Sequence, residues 1–286
     1  MTQPTTITSI SGGRTSAYIA ANYPADQIVF ALVCIDCHNA GAHIDKAIKK
    51  MVNDRLQKFC SHWPEFVATS EDPQVLRTIF DLEQKIGQEI VWVRGIGWEQ
   101  AIRWRQCIPN KIKRWCTTWF KIVPIFEWCL KYTGLPVRTN IGYRYDEMER
   151  ADGFFGGSLK YPVRCERYKS GDWKHRWEVF ENWQTPVFPL IRDKVMRPQI
   201  MKFWEGSEIK FAADSNCQNC FWKPEQQLRE NFKTNAPIMR WAQVQEDLAE
   251  RTFKESMNME QISRLGMQLD FLNGTGAGCN AGFCHD

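Results

Sequence analysis

Cys217 and Cys220 stand in C-x-x-C spacing within "NCQNCFWKP". Two thiolates so placed grip one metal centre or cycle as a redox dithiol, and a metal would need further ligands from elsewhere in the chain. Soft thiolates favour iron–sulfur or zinc over hard cations. A second chemical signature is the turn "SGGRTS", Ser11 to Ser16, which packs two glycines and three hydroxyl residues between a short β-branched run and a helical-looking one. Glycines let a backbone approach an anion, and helix N-terminal amides point at it, so the turn reads as a phosphate cradle. It is neither G-x-x-x-x-G-K-[ST] nor G-x-G-x-x-G. A plain serine-capped turn would use the same residues. The third signature is "IGYRYDEMER", where Gly142 is followed by Arg144, Glu147 and Arg150. Arginines there can clamp phosphate or sulfate oxygens bidentately, or pair with the loop's own carboxylates.

These residues need a scaffold, and the hydrophobic pattern supplies one. "TITSI" reads as a strand and "TSAYIAANY" as a helix; "QIVFALVCI" is a continuous apolar, β-branched run of the kind buried on both faces of a parallel sheet. From Ile44, Ala47, Ile48, Met51, Val52, Leu56 and Phe59 recur at helical spacing, followed by a short strand in "EFVAT". Val75, Ile79, Leu82 and Ile86 form another helical face, with Gly87 as its stop. "EIVWV" reads as a strand, "PIFEWCLKYTG" as a helix from its proline to Gly134, and "VRTNIGY" as a strand. Alternating strands and helices imply a three-layer α/β/α fold on a mainly parallel sheet with right-handed crossovers. After about Pro186, "VFPLI" reads as a last strand, and the remainder is helical or irregular. The expected division is a nucleotide-binding α/β domain over residues 1–195 and a small cysteine-bearing subdomain over 196–286 packed on it. In such a sheet, the first strand-to-helix turn lies at the C-terminal edge, where ligands bind.

Ser11-Gly12-Gly13-Arg14-Thr15-Ser16 resembles the pyrophosphate loop of the PP-loop ATP pyrophosphatase (adenine nucleotide alpha hydrolase) superfamily, in its phosphoadenylyl sulfate (PAPS) reductase-like branch. Arg14-Thr15 replaces the branch's usual Lys-Asp, keeping a cation and losing a carboxylate. "RWCTTWFKIVP", "IGYRYDEMER" and "FPLI...MKFWE...CQNCFWKP" match in the same order, so the resemblance spans most of the chain from Thr8 to Pro224. It implies ATP or PAPS on Ser11–Ser16, with Arg144 and Arg150 facing the anionic end and Glu147 orienting one of them. It also implies that Cys116 joins Cys217 and Cys220 on a four-iron, four-sulfur cluster, with zinc as the alternative. A fourth ligand would be Cys279, Cys284, Cys107 or an exogenous sulfide. The activity implied is sulfur transfer: ATP adenylates an acceptor oxygen and sulfur carried by the cluster replaces AMP, with a nucleic acid as one acceptor and a separate sulfur donor. A sulfonucleotide reductase, served by a thioredoxin-like reductant and using Cys284 of the partly matching Cys284-His285 tail as nucleophile, is the second activity. A non-catalytic nucleotide-binding protein is the third.

Composition narrows the field. The chain has 286 residues, 43% of them hydrophobic, enough for an ordinary buried core. It has no apolar run approaching a membrane span, and "MTQPTTITSI" lacks the charged and apolar regions of an export signal, so a cytoplasmic location is expected. Eleven cysteines, an odd number, favour metal or redox chemistry over a disulfide framework. Cys34, Cys60, Cys129 and Cys165 are assigned to packing or surface, and "CIDCHN", with Cys37 and His38, to the lining of the nucleotide pocket. A net charge of +4 neither requires nor excludes nucleic acid. Many of the 13 tryptophans adjoin basic residues, as in "RWRQ" and "DWKHRW". Such rings either pack on cationic stems or offer a stacking surface for bases. Self-association into a homo-oligomer is compatible with this composition.

Overall fold

The computed structural model describes residues 3–152, 157–167 and 173–266. Its centre is a five-stranded, all-parallel sheet in the order β5-β2-β1-β6-β9, made by β1 (Thr6–Ile10), β2 (Gln27–Leu32), β5 (Ile90–Arg94), β6 (Val137–Asn140) and β9 (Gln184–Val187). Alternate residues divide between two cores. Ile28, Phe30, Leu32, Ile90 and Trp92 face one, with Val29, Ala31, Val91 and Val93 facing the other. The first is closed by α1 (Arg14–Asn22), α2 (Lys46–Cys60) and α3 (Pro73–Ile86), and the second by α6 (Val123–Tyr132). The three-layer architecture expected from the sequence is therefore the observed one.

Local chemistry explains where the elements start and stop. Asp45 caps α2 by accepting from the Ala47 and Ile48 amides, and Ile48, Val52, Leu56 and Cys60 bury one face at four-residue spacing. Asp72 caps α3, Pro73 occupies its first turn, and Gly87 ends it at φ 67°. "QIVFALVCI" is not one strand. The Thr69 hydroxyl and the Ser70 amide both take the Val33 carbonyl, turning the chain out of the sheet. Cys34–Ile35 (β3) then pairs antiparallel with Ala68–Thr69 (β4). "EFVAT" shortens to β4 because Asn53 bonds both backbone groups of Phe66 and holds that stretch to α2. "VFPLI" is displaced: β9 ends at Val187, and Pro189 opens the short helix α8 (Pro189–Arg192), where its fixed φ and missing N–H suit a first turn.

The helix of "PIFEWCLKYTG" begins further upstream. After α4 (Trp98–Arg105), the chain enters α5 (Trp115–Thr117), a π-helical turn over Thr118–Ile122, and then α6. "VRTNIGY" is strand only to Asn140, followed by a 3-10 turn (Tyr145–Glu147) and α7 (Met148–Asp152). An antiparallel hairpin, β7 (Leu159–Arg167) and β8 (Trp173–Phe180), was not expected. It packs Tyr161 and Phe180 against Phe126, with ring centroids at 5.1 and 4.9 Å. Beyond residue 195 come α9 (Arg197–Trp204), α10 (Glu225–Thr234), α11 (Ala236–Ala249) and α12 (Met259–Ser263). Ile238, Met239, Trp241, Phe253 and Met259 share one buried cluster with Ile10 and Trp98, so the C-terminal part is built onto the α/β core. No helix among the described residues is long and apolar enough to cross a membrane.

Candidate nucleotide and metal site

From β1, the chain moves to one side of the sheet through β2 and β5, and to the other through β6 and β9. The point of reversal therefore lies between β1 and β6, where parallel α/β sheets open a crevice at their carboxyl ends. Thr8 and Asn140 are register partners there, and Asn140 Nδ2 donates to Thr8 Oγ1 at 2.9 Å beneath that edge. The chain leaving β1 is Ser11–Ser16, and the chain leaving β6 leads to Arg144 and Arg150. Both sequence-predicted segments thus leave adjacent strands at the carboxyl edge, on either side of the switch point.

The Ser11 amide donates to Ser16 Oγ at 3.2 Å, and that hydroxyl donates to the Gly13 carbonyl at 3.0 Å, closing the turn on itself. Gly13 is the N-cap of α1, whose first amides have no intrahelical acceptor and face outward. Gly12 has φ 74°, and a Cβ there would lie 2.6 Å from Val75 Cγ1. A Cβ on Gly13 would lie 2.7 Å from Ser215 Oγ. The glycines therefore admit α3 and the C-terminal segment, a demand separate from room for an anion. The Arg14 guanidinium lies 5.0 Å over the Phe211 ring, and Trp204 Nε1 donates to the Arg14 carbonyl at 3.0 Å. Thr15 is partly exposed on the first turn.

Glu147 bridges the two arginines of the second loop. It pairs with Arg144 at 3.2 Å and with Arg150 through its other oxygen, and Arg144 also pairs with Asp146 at 3.0 Å. The Arg150 guanidinium lies 4.4 Å over the Tyr143 ring. Burial lowers its pKa, opposed by the Glu147 charge. The Arg144 hydrogen bond holds the Asp146 carboxyl below its ordinary value. Arg144, Arg150, Asp146 and Glu147 are neutral as a set, so an anion must compete with carboxylates for these guanidiniums.

Cys116, Cys217 and Cys220 line one cavity together with Thr117, Phe120, Lys121, Asn219 and Trp98. The π-helical turn after Cys116 widens the helix, so Cys116, Thr117, Phe120 and Lys121 reach the same space. The opposite wall is pinned by Gln218, whose amide donates to the Ser70 carbonyl at 2.6 Å, and by Ser70 Oγ, which donates to Cys217 Sγ at 3.0 Å. Trp98 Nε1 donates to the same hydroxyl at 3.0 Å. Burial pushes the Cys116 and Cys217 thiols up to about 12 and raises Cys220 as well. They stay protonated at neutral pH unless a metal takes the proton's place. Lys121 pairs with the fully buried Glu71 at 3.1 Å. Although burial opposes its charge, Glu71 and Cys217 keep its pKa above the ordinary value.

The donor set suits a thiophilic group. Asn219, 1% exposed, has both amide atoms without a partner, and Thr117 Oγ1 and Glu71 Oε2 are likewise buried and unpaired among the described residues. Polar atoms abandoned in this way are costly unless something fills the space between them. Among the described residues, no three His, Cys, Asp or Glu side chains are placed to hold a single metal ion. An iron–sulfur cluster differs in giving each thiolate its own iron. Cys107 is partly buried and does not line this cavity. Cys34, Cys60 and Cys129 are buried in the core. Cys279 and Cys284 lie outside the described residues.

Ser70, Glu71, Lys121, Asn219 and Ser215 complete this region, and the sequence reading did not single them out. Only Lys121 and Asn219 carried a signal, one inside "RWCTTWFKIVP" and the other inside the C-x-x-C itself. Ser215 links the two halves of the site: it packs on Gly13 and stands two residues before Cys217, a chain distance of about 7 Å at most. Compared with protein-family models, curated proteins and solved structures, the chain matches none.

Proposed function

We propose that this chain is an adenine-nucleotide-dependent enzyme of sulfur transfer, with the nucleotide on Ser11–Ser16 and an iron–sulfur cluster on Cys116, Cys217 and Cys220. The observation that carries the reading is the contact of Ser215 with Gly13, which sets the thiol-lined cavity beside the glycine turn at the sheet's switch point. The α1 amides take the phosphate charge, and Arg150, steered by Glu147 and Tyr143, meets the same anion from β6. An acceptor oxygen attacks the α-phosphorus and the bond to pyrophosphate breaks; sulfide-level sulfur from a separate donor then attacks the acceptor atom that bears this oxygen, its bond to the oxygen breaks, and AMP leaves with the oxygen, with no net oxidation or reduction. When bound, the cluster supplies a soft centre that carries sulfur. Lys121 holds a positive charge beside the thiols and offsets the anionic character of such a group.

Calorimetry with ATP tests the nucleotide half. Wild-type protein should bind ATP, Arg150→Ala should lose about tenfold or more, and Arg150→Lys should recover little of it, because a bidentate contact needs the planar fork. Absence of ATP binding, or full rescue by lysine, contradicts this arrangement. Sulfite release from adenylyl sulfate with a dithiol reductant would assign the site to sulfonucleotide reduction instead.

A further inference from the structure

Away from the nucleotide loop, Trp104 of α4 and Trp177 of β8 come together with ring planes 6° apart and centroids 6.4 Å apart. Trp119 stands edge-on to both, at 4.5 Å and 85° from Trp104 and at 6.1 Å and 82° from Trp177. Trp104 is 39% exposed and Trp177 37% exposed, large indoles left in solvent by a chain with ample buried core. Cations flank them. Lys160 Nζ lies 6.0 Å from the Trp177 centroid, Arg105 Cζ lies 5.7 Å from that of Trp104, and Arg103 is exposed on the same helix. The carboxylate of α4 is turned to other work: Glu99 accepts from the Asp36 amide and from Trp241 Nε1.

Exposed aromatic faces interleaved with cations match one polymer well, since unpaired bases stack on the rings while phosphates meet the guanidinium and ammonium groups. A duplex buries its base faces and has no use for parallel indoles. The surface also leads to the chemistry. Trp119 follows Cys116 by three residues on one continuous helical run, so the surface adjoins the segment that carries Cys116.

We propose that Trp104, Trp119 and Trp177, with Arg103, Arg105 and Lys160, form the docking surface for an unpaired nucleic-acid strand. Its role as sulfur acceptor rests on the function proposed above; the binding itself does not. Tryptophan fluorescence and anisotropy titrations with a short oligothymidylate, a short oligouridylate and a duplex of equal length provide the test, without ATP. Both single strands should bind more tightly than the duplex, quenching tryptophan emission. Trp104→Ala and Trp177→Ala should each weaken binding by about tenfold or more, with Trp177→Phe retaining most of it. The same alanine variants should bind ATP as the wild type does, which reports on their folding. Equal affinity for duplex and single strand, alanine variants that bind like the wild type, or no binding at all would overturn the proposal. Strand binding by a protein that ignores ATP would uphold this surface while removing the nucleotide reading.

Discussion

Asn219 lies between two of the proposed cluster thiols, with both amide atoms buried and unpaired. An abandoned buried amide costs about 1–3 kcal/mol. Asn219→Leu should therefore leave the thermal midpoint of metal-free protein unchanged or raised, while the cluster-loaded protein should lose iron faster under a chelator. A large loss of metal-free stability would show instead that Asn219 is structural. Gly12 illustrates how far single residues can be read. Its place in "SGGRTS" identified the turn, but no local pattern reveals that Val75 of α3 fills the space beside it. Gly12→Ala should destabilise the protein by about 1–3 kcal/mol through its positive φ alone, and Val75→Ala in addition should relieve only the steric part. Denaturant melts of both variants check this, and nucleotide affinity is better probed at Arg150.

At the scale of elements, β2 and β5 were legible because they are apolar on both faces, whereas the polar β9 was read too far downstream and the hairpin of β7 and β8 was not seen. The hairpin buries Leu159 and half-buries Tyr161 and Phe180, while Trp177 and Val179 stay exposed and basic and acidic residues are interspersed, so no regular apolar period stands out. The π-helical turn is invisible for another reason: its spacing differs from that of an α-helix by less than one residue per turn. One polar device ties the last helices down. Glu246, 4% exposed on α11, accepts from the Phe253 amide at 2.8 Å and from the Met259 amide at the start of α12. Burial raises its pKa above the ordinary value, in spite of those amides. A folded-state pKa above the unfolded one means that the fold binds this proton more tightly. The linked stability is thus fully present below the ordinary glutamate range and declines as pH rises through the folded value. Urea melts across that window should show Glu246→Gln losing this part of the pH dependence, at a cost of about 1–3 kcal/mol for an amide left without its acceptor. An unchanged pH profile would contradict the assignment.

In the whole molecule, the cysteine pair reaches Cys116 only because the C-terminal part closes one core with the sheet. Trp98 is the hub of that closure, with its ring centroid 4.6 Å from Phe120, 5.8 Å from Trp241 and 5.9 Å from Phe253. Trp98→Ala should cost about 3–5 kcal/mol and loosen the cavity wall through Ser70, read by denaturant melts and by faster alkylation of Cys217. The parallel α/β layering and the place of the first turn at the sheet's carboxyl edge were implicit in the alternation of elements, but the strand order and the docking of the C-x-x-C segment against Ser70 and Gly13 depend on contacts between distant segments that no local pattern records. The proposed function requires Cys116, Cys217 and Cys220 to share one iron–sulfur cluster beside the glycine turn. Iron and acid-labile sulfide analysis of the full chain, purified anaerobically as wild type and as Cys116→Ser, tests it most directly. Brown protein with about four irons and four sulfides per chain, both lost on substitution of Cys116, is the expected result. Stoichiometric zinc, or metal content that is indifferent to Cys116, would contradict it.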